Sequence, residues 1–128
     1  MPMYSVCVIR DFVAQHFLIG GDWGKENQHH SHHYELEAIF EGERLDRHGY
    51  LLDIAEVKRH LEEVVERFSD HTLNELPEFA GLNPSLEHFA RILTEALVAR
   101  LDTTALAAFT VKLWENEEAF ATYRIAFR

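Results

Sequence analysis

The chain has 128 residues, the length of one ordinary domain, and 47% of them are hydrophobic with 12% aromatic, so it can bury a core and is not a disordered segment. Twenty-two acidic residues against 12 basic give a formal net charge of -10, which disfavours nucleic acid and anionic membranes as partners. A lone cysteine, Cys7, excludes an internal disulfide framework, and no apolar run reaches the length of a membrane span or a signal peptide, so a cytoplasmic protein is expected.

Residues 3–13 are rich in Val, Ile, Tyr and Phe and read as a strand. Gly20-Gly21-Asp22-Trp23-Gly24 signals a loop. Residues 32–41 alternate, with His32, Tyr34, Leu36 and Ala38 on one face and His33, Glu35, Glu37 and Ile39 on the other, which predicts a half-buried strand. Turns are expected at 41–43 and 46–49.

A helix is expected from about Asp53 to Phe68, because Ile54, Val57, Leu61, Val64, Val65 and Phe68 recur at helical spacing. Asp53 is its expected N-cap, with Glu56 completing a capping box. Residues 69–83 read as irregular. Asn83-Pro84-Ser85 opens a second helix, with Pro84 early in it and an apolar stripe of Phe89, Ile92, Leu93, Ala96 and Leu97. Residues 106–114 and 119–127 read as strands joined by a hairpin at 115–118. The order predicts a single α+β domain over residues 1–128, a ββααββ unit with two helices on one face of an antiparallel four-stranded sheet.

Nine histidines are present, four of them within residues 29–33. On a strand, residues two apart point to the same face, so His30 and His32 can converge on one ion. If the first two strands pair as a hairpin, His16 falls beside them. Three histidines with one open position is the arrangement of catalytic zinc. Taken alone, His-x-His also fits exposed polar residues on a strand. Asp70-His71 fits either a proton relay or the capped end of a helix. Glu115 fits either a carboxylate for two heterocycle N–H groups or a solvated turn residue.

Together these fragments resemble the 6-pyruvoyl-tetrahydropterin synthase family, which includes 6-carboxy-tetrahydropterin synthase. The resemblance is carried by Ala14-Gln15-His16, His30-Ser31-His32-His33-Tyr34, Gly49-Tyr50-Leu51-Leu52-Asp53-Ile54, Asp70-His71-Thr72-Leu73-Asn74, Asn83-Pro84-Ser85-Leu86-Glu87, and Trp114-Glu115 ahead of Tyr123, in that order. It implies the tunnelling fold, assembled as a trimer or a dimer of trimers with active sites between subunits. It also implies Zn2+ on His16, His30 and His32, a pterin held by Glu115, and Asp70 and His71 as proton-transfer partners. The substrate would be dihydroneopterin triphosphate or a related pterin. The product would be a 6-carboxy- or 6-pyruvoyl-tetrahydropterin or 6-hydroxymethyl-dihydropterin.

Two positions depart from the pattern. Many members carry a catalytic cysteine four residues before the first histidine of the pair, where this chain has Glu26. Some relatives use a glutamate near this position, and they are associated with the 6-hydroxymethyl product. A carboxylate can serve as general base, so Glu26 is the expected catalytic replacement. Ser31 stands where the family has glycine. The alternatives are a pterin- or purine-binding paralogue that has lost catalysis, and a metal-storage or structural protein with a loose histidine tract.

Overall fold

The structure is a computed structural model that describes residues 2–127. Its first two strands, β1 (Tyr4–His16) and β2 (His30–Gly42), pair antiparallel along their whole length, from Tyr4↔Gly42 to His16↔His30. The alternation of β2 holds: Tyr34, Leu36, Ala38 and Phe40 are buried, whereas Ser31, His33 and Glu35 are exposed.

Both strands run further toward the histidines than sequence propensity indicates. The first was expected to end at Val13, yet His16 is its last residue, and β2 starts at His30 rather than 32. Tertiary hydrogen bonding explains the extension. The outer edge of β1 is partnered by the segment after the first helix, with Asp70 N–H donating to Val13 O (2.7 Å) and Gln15 N–H to His71 O (3.0 Å). A strand satisfied on both sides keeps its extended form past the end of its β-branched residues.

The last strands, β3 (Ala108–Trp114) and β4 (Phe120–Ala126), complete a sheet of order β1-β2-β3-β4, antiparallel throughout. Helices α1 (Ile54–Phe68) and α2 (Leu86–Val98) cover one face, α1 against β1 and α2 against β3 and β4. This is the expected α+β, ββααββ arrangement. The helices bury Leu61, Val64 and Phe68, and Phe89, Leu93 and Leu97, against the inner side chains of the sheet. At the centre Phe89 meets Tyr34 edge-on at 5.1 Å and Phe68 at 5.4 Å between ring centroids.

The caps differ in detail from expectation. Asp53 accepts from the N–H groups of Ala55 and Glu56, but the Glu56 carboxylate pairs with Arg59 and His60 instead of closing a capping box. Ser85 caps α2 by accepting from His88 N–H, which leaves Pro84 just outside the helix. The stretch expected to be irregular contains two single 3-10 turns, Leu73–Glu75 and Pro77–Phe79, anchored by buried Leu73, Leu76 and Phe79. Among the described residues, no helix is long and apolar enough to cross a membrane.

Candidate functional site

The register of the first hairpin sets His16 directly opposite His30, and the two-residue strand period puts His32 on the same face. The three rings meet edge to face, with centroids 4.6–4.9 Å apart. His16 Nε2 lies 3.0 Å from His30 Nε2, which lies 3.1 Å from His32 Nε2. Glu26, on the 3-10 turn Gly24–Asn27, brings Oε1 to 3.3 Å from His30 Nε2 and 3.8 Å from His32 Nε2. Among the described residues these four form the group able to hold a metal ion, their ligand atoms all within 4.8 Å of one another.

Tautomers decide what this convergence means. His16 Nδ1 is 3.0 Å from Pro84 O and His30 Nδ1 is 2.6 Å from Gln28 O. A carbonyl only accepts, so each Nδ1 carries a proton and donates it, and in a neutral ring this leaves the lone pair on Nε2. Burial, and then the neighbouring His32 and His30, push the His16 pKa down to about 4, so His16 is neutral near pH 7. Two lone pairs facing each other at 3.0 Å repel unless a cation lies between them. A tetrahedral zinc with bonds of 2.0–2.1 Å separates its nitrogen ligands by about 3.3 Å, close to the spacing found here. Ligand histidines whose second nitrogen donates to a carbonyl are the usual support for such an ion.

Three asparagines hold these groups in place. Asn74 binds both main-chain groups of Phe17, accepting from its N–H (3.0 Å) and donating to its O (2.8 Å). Asn83 accepts from Ile19 N–H at 2.8 Å. Asn27 accepts from Trp23 N–H and donates to Leu18 O and Gly21 O, shaping the turn that carries Glu26. Reasoning on residue type overlooked these asparagines. For Asn74 and Asn83 the signal was their place in the motifs at 70–74 and 83–87; an asparagine side chain is not titratable, and Asn27 lies in no such motif.

An open cleft of about 900 Å³ lies next to the cluster, between β2 and the β3–β4 hairpin, with His32, Tyr34 and Glu115 in its lining. It exists because β2 outruns β3. The last pair of that ladder is Glu35↔Trp114, so residues 30–34 have no β3 neighbour. Ala107 N–H donates to Glu41 O, so odd-numbered residues of β2 aim their main-chain groups at the β3 side. Ser31 and His33 therefore offer N–H and C=O groups to the cleft edge. Burial, then Glu115 and Glu26, raise the Tyr34 pKa, so the ring stays a phenol.

The remaining candidates lie apart from the cluster within one chain. Asp70 and His71 are exposed beside the outer edge of β1, and the His71 Nδ1 faces Ser69 O at 2.8 Å. Asp70 sits at φ 59, in the left-handed region. As the strand period requires, His33 points away from the cluster, where it pairs with Asp11 at 2.7 Å. His29 faces Thr72 Oγ1 at 2.9 Å.

The chain matches the model of the family described as 6-pyruvoyl tetrahydropterin synthase over residues 5–126. It is 30% identical over 104 residues to the 6-pyruvoyl tetrahydrobiopterin synthase of Dictyostelium discoideum, covering 80% of this chain and 75% of that protein. It is 27% identical over 107 residues to the dihydroneopterin monophosphate aldolase of Pyrococcus furiosus, covering 84% and 85%. The structure of Caenorhabditis elegans 6-pyruvoyl tetrahydropterin synthase superposes with a TM-score of 0.84 at 23% identity over 98% of both chains, which is the same fold.

Proposed function

The chain belongs to the 6-pyruvoyl tetrahydropterin synthase family, whose tunnelling fold it has, and from that premise we propose that it is a zinc-dependent lyase acting on the side chain of a pterin. The substrate is dihydroneopterin triphosphate or a related pterin. The observation that carries this reading is the convergence of three histidine Nε2 atoms, two of them on rings whose Nδ1 is bound to a main-chain carbonyl, beside an open cleft.

His16, His30 and His32 would hold Zn2+. When bound, zinc supplies Lewis acidity that polarises the substrate side chain and acidifies its hydroxyl groups. Glu115 anchors the heterocycle, because a carboxylate accepts from two neighbouring ring N–H groups at once. Glu26 is the general base, and its carboxylate already stands within 3.3 Å of a ligand nitrogen. The exposure of Asp70 and His71 supports a relay that serves the cleft of a neighbouring copy in a trimer or a dimer of trimers.

Glu26→Ala is expected to retain one zinc per chain and to lose turnover of dihydroneopterin triphosphate and related pterins. Full activity in that variant would remove Glu26 from the mechanism. The presence of Glu26 where many members have cysteine favours one second reading, a pterin- or purine-binding protein without turnover. Pterin binding by wild type with no new product in a chromatographic assay would select it.

A further inference from the structure

The lining of the cleft has a charge that bears on which pterin it accepts, if the pterin reading above holds. Five carboxylates line it: Asp11, Glu35, Glu115, Glu117 and Glu118. Among the described residues of this chain, no lysine or arginine does. Only Glu115 is needed for the heterocycle. Glu117 and Glu118 project from the hairpin at the mouth and are exposed.

Seven of the 12 basic residues are engaged elsewhere. Six arginines are already in ion pairs with glutamates, among them Arg67–Glu78 at 2.7 Å and Arg91–Glu95 at 2.9 Å. Lys112, on the strand beside the cleft, sits over the rings of Trp114 and Phe120, 5.0 and 4.2 Å from their centroids. Each further copy in an assembly brings another formal charge of -10. A triphosphate tail carries several negative charges and needs cations to replace its water.

We infer that this cleft takes a dihydropterin whose side chain is uncharged, such as dihydroneopterin, and discriminates against its triphosphate. An uncharged trihydroxypropyl side chain offers no triphosphate to expel, so carbon–carbon cleavage is the lyase chemistry left to it. In that step the 2′-hydroxyl loses its proton to Glu26 and C2′ becomes the aldehyde carbon of glycolaldehyde. The C1′–C2′ bond breaks, and its electron pair passes into the ring system. A proton returned at C1′ then leaves a 6-hydroxymethyl-dihydropterin. Substrate and products balance without an external oxidant or reductant.

The test is a comparison of kcat/KM for dihydroneopterin and its triphosphate on the zinc-loaded protein, at low and at high salt, with binding of each followed separately by pterin fluorescence. The expected result is a preference for dihydroneopterin of about tenfold or more at low salt that narrows as salt screens the carboxylates. The double substitution Glu117→Gln, Glu118→Gln is expected to shift the ratio several-fold toward the triphosphate. A preference for the triphosphate at low salt overturns the inference and leaves the pterin reading standing. If neither compound binds nor reacts, both fall together.

Discussion

The proposed zinc site makes a measurable claim on stability. In the stripped protein the Nε2 atoms of His16 and His30 stand 3.0 Å apart, and an ion that binds only the folded chain stabilises it by mass action. At free zinc about 100-fold above the dissociation constant that gain is about 2.7 kcal/mol. Unfolding entropy near about 2.1 cal/mol/K per residue gives about 0.27 kcal/mol/K for this 128-residue chain, hence a rise in Tm of about 10 °C. His32→Ala removes one of the three converging nitrogens and leaves the carbonyl contacts of His16 and His30 intact. Its zinc-dependent rise should fall below about 3 °C at the same metal concentration. The assay is thermal unfolding by circular dichroism on untagged, chelator-stripped protein titrated with zinc, with metal content measured in parallel. An equal rise in wild type and His32→Ala would place the ion elsewhere, and a wild type that takes up no zinc would end the catalytic-metal reading.

Other perturbations test the supports around the site. Asn83→Ala deletes the acceptor for Ile19 N–H and should cost about 1–2 kcal/mol of stability in urea unfolding while weakening zinc binding, because it loosens the loop that follows His16. Phe89→Ala opens the centre of the aromatic cluster and should cost about 3–5 kcal/mol by the same method. The pH dependence follows from His16, whose pKa is lowered from 6.5 to about 4 on folding. The unfolded chain therefore takes up the proton first. The stability tied to neutral His16 is complete above about pH 6.5 and drains away as pH falls toward 4, and denaturant midpoints of stripped His16→Gln should be flatter across that window. Asp53→Ala removes the cap of α1 and should cost about 1 kcal/mol in thermal or urea unfolding without changing zinc content.

Much of the architecture was written in periodicity. The two-residue alternation of 32–41 and the helical spacing of Ile54 to Phe68 are local properties, because each follows from which side of its own element a residue faces. The same period put His30 and His32 on one face, and the order of motifs pointed to the family that the comparisons show. Strand ends were less legible. Gln15 and His16 have no strong strand preference, and they stay extended because Asp70 and His71, more than fifty residues away, bond to that edge.

What the sequence determined by itself was the list of chemical groups, the faces they occupy and the excess of negative charge. Tertiary structure decided how far apart the groups stand and which proton each one holds. The Pro84 carbonyl fixes the proton on His16 Nδ1 only because the turn before α2 meets the end of β1. Glu26 comes within 3.3 Å of His30 only because Asn27 folds the intervening loop back on itself. Distances between segments remote in the chain depend on packing and on hydrogen bonds that no local pattern encodes, so the residue types could be read early and the geometry of the site could not.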